Sequence, residues 1–248
     1  MTGTEHYTAW EGYWQDTSDT EGEAIWDADP SLTAAVHLAL LEPHMDPALP
    51  IVDVGCGNGT QTRYLATRFA HTVGVDISHA AVEHARRADT KGSAAFEQLD
   101  LTDTDRVRAL AARLGDSNVY LRAVIHQSPP ENRAPVAEAV AHLLGRRGRG
   151  FVVELTNAAK GVLQELAQRP EGPSEKFQRV VAHGLRPADT ADGEVAALLR
   201  GAGLEILAEG AVALAMTEFH PDGRRVELPA VWFVVGHPTG RPTAQPAG

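Results

Sequence analysis

The sequence predicts an α/β protein: a doubly wound, mostly parallel sheet with helices on both faces and an antiparallel hairpin at its C-terminal end. Three observations carry the prediction. Short β-branched runs alternate with helix-like stretches from Ile51 onward, and such alternation builds parallel strands joined by helical crossovers. The stretch Ile51-Val-Asp-Val-Gly-Cys-Gly-Asn-Gly-Thr60 sets a glycine-rich turn between a strand and a helix N-terminus, a geometry that lets a ligand approach the backbone. Leu204 to Met216 and Ala230 to Val235 are both strand-like and are joined by the polar turn Pro221-Asp-Gly-Arg-Arg225, which reads as a hairpin at the sheet edge.

The elements follow in order. Ser31 to Leu41 has helical character, and Pro43 to Pro50 links it to the first strand, Ile51 to Val54, where β-branched residues crowd around Asp53. Beyond the glycines, Tyr64, Leu65 and Phe69 stand at helical spacing. His71 to Asp76 reads as a strand and Ser78 to Ala88 as a helix capped by Ser78. Ala95 to Asp100 is the third strand, and Thr104 to Leu114 a helix closed by Gly115, residue types suited to those two caps. Asn118 to Ile125, Glu131 to Leu144 and Gly150 to Leu155 continue as strand, helix and strand, and Asp189 to Ala202 is a later helix ended by Gly203. Residues 157–187 interrupt the last crossover with a long mixed insertion, of a kind that covers the ligand end of a sheet. The expected organisation is an aromatic, acidic lid and helix over residues 1–44, a ligand-binding domain over 45–236 carrying that insertion, and a disordered tail over 237–248.

A chain of 248 residues with 43% hydrophobic content can bury one sizeable core. Its net charge of −11 opposes a general affinity for phosphate backbones, so no nucleic-acid partner is expected. No run approaches the ~18 apolar residues of a membrane span, and the acidic N-terminus lacks a signal peptide's basic region. A cytoplasmic protein without membrane contact is expected. Cys56 is the single cysteine, so an internal disulfide and a cysteine-cluster zinc site are ruled out. Between two turn glycines it reads as a small buried filler, and no metal is expected.

Charge is uneven along the chain. Residues 1–30 hold eight acids and neither Lys nor Arg, so the rest carries only −3. The same segment holds three of the four tryptophans, Trp10, Trp14 and Trp26, with Tyr7 and Tyr13. A solvated acidic segment ordinarily lacks aromatics, so this one docks on the core, a partner or a small molecule. These five aromatics are the candidate lining of a substrate pocket, where the acids would favour a cationic acceptor or serve solubility alone.

The glycine turn by itself also occurs in nicotinamide and flavin enzymes. The dinucleotide fingerprint needs its third glycine at position 60, and that residue is Thr60. Asp76 ends the second strand and Asp100 the third, so with Asp53 they offer three carboxylates around one crevice. No GxxxxGK[ST] phosphate loop is present.

In Val52-Asp-Val-Gly-Cys-Gly-Asn-Gly-Thr60, Val73-Gly-Val-Asp-Ile-Ser78 and Gln98-Leu-Asp-Leu101 the sequence resembles the class I S-adenosylmethionine-dependent methyltransferases, across roughly residues 45–235. The terminal hairpin is similar to that family's reversed last strand. The resemblance implies S-adenosyl-L-methionine as cofactor. It implies that Asp53 and the turn at Gly55, Gly57 and Gly59 hold the methionine part, and that Asp76 binds both ribose hydroxyls. Ile77 would pack on adenine, while Asp100 would accept from the adenine amino group and Leu101 would offer its backbone. Carboxylates suit this ligand, because ribose hydroxyls and an exocyclic amine are donors and ionised carboxylates only accept.

After the fourth strand, Val124-Ile-His-Gln-Ser-Pro-Pro-Glu131 is similar to the V-L-H-H-V-P ending of small-molecule methyltransferases, which would turn His126 toward the transferred methyl. His126 is the candidate general base, against a histidine that only packs beside the cofactor, and Glu154 at the end of the fifth strand is a second candidate. Ser128-Pro-Pro-Glu131 lacks the acid or amide and the aromatic of the [ND]PP[YF] motif found in methyltransferases of nucleobases and glutamine. The expected activity is methyl transfer to an oxygen, nitrogen or carbon of a small molecule. The alternatives are a cofactor-binding protein of the same fold that performs another reaction, such as a cyclisation, or none, and a nicotinamide-dependent oxidoreductase. Oligomeric state is not legible.

Overall fold

The computed structural model describes residues 3–185 and 190–238. The strands are β1 (Ile51–Val54), β2 (Thr72–Asp76), β3 (Ala95–Gln98), β4 (Asn118–Arg122), β5 (Gly150–Leu155), β6 (Glu205–Phe219) and β7 (Arg225–Gly236). They form one sheet in the order β3-β2-β1-β4-β5-β7-β6. The first five are parallel, and β7 runs antiparallel between β5 and β6. The predicted doubly wound sheet with a C-terminal hairpin is the observed fold. Its crossovers go from β1 out to β2 and β3 and then return to β4 on the other side. That reversal opens a crevice at the C-terminal ends of β1 and β4.

Helices α1 (Gly3–Gln15), α2 (Ala34–Leu41), α3 (Thr60–Leu65), α4 (His79–Ala88), α5 (Thr104–Leu114), α6 (Pro130–Leu144), α7 (Ala159–Ala167), α8 (Glu175–Ala182) and α9 (Glu194–Gly201) surround the sheet. Strand residues alternate between two faces. Val52, Val54, Val119, Leu121 and Val152 share a core with residues of α5, α6 and α9, whereas Ile51, Tyr120, Phe151 and Val153 share one with residues of α2, α3 and α7. Each large apolar side chain so buried stabilises the fold by ~1.5–3 kcal/mol before the entropy of ordering it is charged. The same parity turns the Asp53 side chain toward α3, where Thr62 Oγ1 donates to its Oδ2 at 2.6 Å.

Several boundaries differ from the sequence reading for local reasons. β3 ends at Gln98 rather than Asp100, because the Asp100 carboxylate folds onto the Thr102 N–H and hydroxyl, both at 2.8 Å, in a turn. β4 ends at Arg122 rather than Ile125. Ala123 takes a left-handed φ of 62° and turns the chain out of the sheet. β7 continues back through Pro229 to Arg225, beyond the expected start at Ala230. β5 stops at Leu155 opposite Ala230, so Pro229 lies where the strand has β6 alone as neighbour and a missing donor is tolerated. The insertion over 157–187 contains α7 and α8, and the helix expected from Asp189 begins at Glu194, just after Gly193 with φ 86°. Residues 186–189 and the 239–248 part of the predicted tail lie outside the described residues.

The N-terminal segment, to which the sequence reading assigned no element, opens with α1 and packs into the body of the protein. Tyr13, Trp14, Ala24 and Ile25 are buried. Its acids are used in docking. Glu11 Oε2 accepts from Ser78 Oγ and the Ala80 N–H at the start of α4, at 2.8 and 3.1 Å. Those bonds outweigh partial burial and hold the Glu11 carboxyl below its usual pKa. Asp19 meets Arg87 and His84 of α4, Asp16 meets His183, and Glu23 meets Arg179 of α8.

Candidate functional site

A cavity of about 680 Å³ lies over the C-terminal ends of the strands. That is within the roughly 300–1,000 Å³ typical of small-molecule sites. Its floor begins at the turn after β1. Gly55, Gly57 and Gly59 all have positive φ, at 70°, 53° and 73°, a conformation that strains any residue with a Cβ. The space is also taken. A Cβ on Gly55 would meet Val124 at 2.5 Å, one on Gly57 would meet the Trp14 ring at 2.7 Å, and one on Gly59 would meet Phe96 at 2.6 Å. The protein's own side chains therefore press on the turn. Gly55 and Gly57 line the cavity, and Gly59 lies behind it.

The carboxylates separate into different environments. Asp76, last in β2, lines the cavity and accepts the Gly57 and Ser78 N–H groups, one on each oxygen, both at 2.9 Å. Burial pushes its pKa up to about 6 against those bonds. An oxygen with one accepted bond keeps a lone pair for another donor. Asp100 lines the cavity as well, and its bonds to Thr102 use Oδ1. Ile77 and Leu101 stand beside these two. Asp53 is not in the lining; burial lifts it to about 7, opposed by the Thr62 hydroxyl and the Arg122 charge.

Across the switch point stands His126, buried and lining the cavity. Its Nδ1 lies 2.5 Å from Glu154 Oε2, and Gln127 Nε2 lies 3.2 Å from its Nε2. Glu154, wholly buried at the end of β5, also accepts the N–H groups of Val124, Ile125 and His126 at 3.0, 2.7 and 3.2 Å. The turn begun at Ala123 thus folds back on one carboxylate. This arrangement selects the tautomer with Nδ1–H donating to Glu154 and the Nε2 lone pair accepting from Gln127.

Of the five N-terminal aromatics, Trp10, Trp14 and Trp26 line the cavity, while Tyr7 and Tyr13 are not in its lining. Tyr13 is fully buried 4.9 Å from Trp26, centroid to centroid, and burial pushes its phenol up to about 12. From the same segment Asp27 reaches the glycine turn. Its Oδ2 accepts from Asn58 Nδ2 at 2.7 Å and Thr60 Oγ1 at 2.9 Å. An acid at this helix N-terminus occupies the place where a dinucleotide fold seats its pyrophosphate, and it would repel one.

Residues 51–148 match the model of a methyltransferase domain. The whole chain is similar to an S-adenosylmethionine-dependent methyltransferase from Anabaena variabilis, at 29% identity, with 94% of this chain and 95% of that one covered and a TM-score of 0.86. The chain thus carries a methyltransferase domain. The fold is shared at lower identity too. Magnesium protoporphyrin IX methyltransferase from Synechocystis, with bound S-adenosylhomocysteine, is 19% identical, covers 84% of this chain and 83% of its own, and has a TM-score of 0.54. A protein of echinomycin biosynthesis that converts a disulfide bond into a thioacetal group is 17% identical, with 97% and 93% covered and a TM-score of 0.64.

In this methyltransferase several cavity residues escaped the sequence reading: Asp27, His6, Asn58 and Arg122. His6 is buried near Asp100. Burial holds its pKa below the usual histidine value, and the Asp100 charge partly opposes that. Arg122 donates to the Trp26 carbonyl at 3.0 Å. Among the described residues no group of three or more His, Cys, Asp or Glu could hold a metal, and no helix is long and apolar enough to cross a membrane.

Proposed function

We propose that this methyltransferase acts on a small molecule, with the cofactor over β1–β3 and the acceptor reaching His126 from the β4–β5 side. The observation that supports this reading most is one continuous cavity lined by Asp76 and Asp100 at one end and by His126 at the other. The cavity's chemistry fits S-adenosylmethionine, since carboxylates with spare lone pairs suit a ligand whose nucleoside offers donors. Asp76 is assigned to the ribose hydroxyls, Ile77 to adenine packing, and Asp100 with the Leu101 backbone to the adenine edge. Gly55 and Gly57 are assigned to the amino-acid part. Asp53 and Gly59 act on that part through the shape of the turn, Asp53 by its bond to Thr62.

When bound, the sulfonium cofactor supplies an activated methyl group. The chain's own contribution is alignment, exclusion of water by the α1 and α7–α8 coverings, and a base. Holding two reactants in line can supply several kcal/mol of a barrier. With the Gln127 amide displaced from it by the acceptor, His126 Nε2 takes the acceptor's proton, and Glu154 positions the ring and stabilises the imidazolium that results. Positioned general bases contribute typically ~10²–10⁴ in rate. The five N-terminal aromatics divide accordingly: Trp10, Trp14 and Trp26 contact ligands, and Tyr13 and Tyr7 support them. A location in the cytoplasm accords with this reading. The test is mass spectrometry of metabolite extracts incubated with the protein and isotopically labelled cofactor. A small-molecule product heavier by the labelled methyl, formed together with S-adenosylhomocysteine, is the expected result. Label appearing only in protein or nucleic acid would overturn the reading.

A further inference from the structure

Arg122 and Asp27 line the cavity without being assigned to the nucleoside or to the acceptor. Leu121 is in register with Val54, so Arg122, the last residue of β4, comes level with Gly55 across the crevice between β1 and β4. It shares a sheet face with Tyr120 and Asp53. Its Nη1 donates to the Trp26 carbonyl at 3.0 Å, which draws the chain just before Asp27 onto the end of β4. Asp27 is held from the other side, where its Oδ2 accepts from Asn58 Nδ2 at 2.7 Å and Thr60 Oγ1 at 2.9 Å. A cation and an anion are thereby brought to one part of the cavity, beside the glycine turn.

Among the described residues neither of the two forms an ion pair, with the other or with a third group. Arg122 meets the Tyr120 phenol, whose hydroxyl lies 2.7 Å from His37 Nδ1. Asp53 feels the Arg122 charge too, but burial lifts that carboxyl to about 7, its Oδ2 takes the Thr62 hydroxyl, and it is not in the lining. A guanidinium has five N–H donors in a planar fork, so bonding one carbonyl leaves it able to grip a carboxylate through two parallel bonds. On Asp27 the two shorter bonds fall on Oδ2, and Oδ1 has the Gln61 amide at 3.5 Å. That oxygen keeps accepting capacity for an ammonium. Lys160, the other Lys or Arg of the lining, lies on α7 and already has a partner.

A buried carboxylate and a partly buried guanidinium that do not pair are costly unless a ligand brings both counter-charges. An α-amino acid does so, because its ammonium and carboxylate stand on one carbon. We infer that Arg122 and Asp27 form a clamp for the amino-acid end of the cofactor, Arg122 donating to its carboxylate and Asp27 accepting from its ammonium. This rests on the assignment of Asp76 and Asp100 to the nucleoside. The clamp makes the site discriminate against nucleoside thioethers that lack either group, since each loss leaves one protein charge without its partner. It also gives residues 26 and 27 a part in binding beyond the support they lend to the turn.

The test is calorimetry of the intact protein with three thioethers: S-adenosylhomocysteine, its analogue with the carboxylate replaced by hydrogen, and its analogue with the amino group replaced by hydrogen. The wild-type protein should bind each analogue at least tenfold more weakly than S-adenosylhomocysteine. Arg122→Gln should weaken S-adenosylhomocysteine at least tenfold while leaving the analogue without a carboxylate within a few fold. Asp27→Asn should do the same with the analogue that lacks the amino group. Arg122→Lys, which keeps the charge but not the planar fork, should recover part of the lost affinity. A residue that only supports the turn or the Trp26 carbonyl would, when replaced, weaken all three ligands alike, and that result overturns its place in the clamp. Equal binding of the three thioethers by the wild-type protein overturns the clamp with no variant needed. Failure of S-adenosylhomocysteine itself to bind strikes the cofactor assignment instead.

Discussion

The indole of Trp14 lies 2.7 Å from the point where a Cβ on Gly57 would stand. The N-terminal helix and the turn after β1 are therefore in contact at a place that admits no side chain. Trp14 is 2% exposed and its backbone carbonyl is held by His84 Nε2 at 2.9 Å, so the ring has little room to retreat.

Gly57→Ala should accordingly damage both the turn and the helix that covers it. Left-handed φ costs an alanine ~1–2 kcal/mol before any clash is counted. The expected outcome is a lower melting temperature and at least a tenfold weaker affinity for S-adenosylhomocysteine by calorimetry. Affinity and melting temperature both at the wild-type level would show that the turn is not shaped this way.

The turn was legible in the sequence because its signals are local: β-branched strand, alternate glycines and apolar helix spacing lie within twenty residues of one another. Asp76 was legible as a strand end for the same reason, whereas Asp100, read as one, sits in the turn just beyond β3. The clamp of Asp27 on Asn58 and Thr60 was not, since its partners are 31 and 33 positions away and nothing in the local pattern pairs them. His126 and Glu154 were each visible as residues at strand ends. Their contact, 28 positions apart, follows only from β4 and β5 being neighbours in the sheet. The apolar cavity lining from α7 and α8, with Leu163, Phe177 and Val180, was hidden by the mixed composition of residues 157–187. That residues 1–30 dock was legible from their aromatics, but what their acids meet was not, because those partners lie on α4 and on or beside α8.

Cofactor affinity should rise as pH passes upward through about 6. Burial holds Asp76 protonated below that value in the free protein, and a protonated carboxyl is a poorer acceptor for hydroxyl donors. The effect on the free protein's own stability has the opposite sign. With its folded pKa raised above the ordinary 3.8, Asp76 contributes stability that is complete below ~4 and is lost as pH rises through about 6. Calorimetric titration with S-adenosylhomocysteine from pH 5 to 8 should show proton release at the lower end. Asp76→Asn should bind weakly and lose most of this pH dependence. Asp53 is held higher, at about 7, so Asp53→Asn is the companion variant that separates the two groups.

His126→Ala should lower kcat by ~10²–10⁴ while leaving S-adenosylhomocysteine affinity within a few fold, as expected when a positioned base is removed. Glu154→Gln tests positioning. An amide has one acceptor oxygen where the carboxylate serves three backbone N–H groups and the ring Nδ1, so one or more buried donors lose a partner. Stability should fall by ~1–3 kcal/mol. A purely structural role would stop there, whereas the pH dependence of kcat should also shift in Glu154→Gln. An unchanged profile would reduce Glu154 to a structural acid.

Removing residues 1–30 should unfold the site rather than uncover it. A detachable flap would leave cofactor affinity intact when deleted and would cost turnover alone. The structure instead has Tyr13, Trp14, Ala24 and Ile25 buried, Glu11 bonded at the start of α4, and Asp27 bonded to the glycine turn. Cofactor and acceptor ends share these supports. The full truncation is therefore expected to fall in thermal stability and to lose both ligand affinities together. A smaller change makes the point without removing the segment. Trp14→Ala empties the contact with the turn, a large-to-small core change of ~3–5 kcal/mol. In a domain of this size that is on the order of 10 °C in melting temperature. S-adenosylhomocysteine affinity should weaken with it, because the turn loses the ring that packs on Gly57. If Trp14→Ala or the truncated protein instead melts at the wild-type temperature and binds the cofactor product normally, the segment is a flap after all.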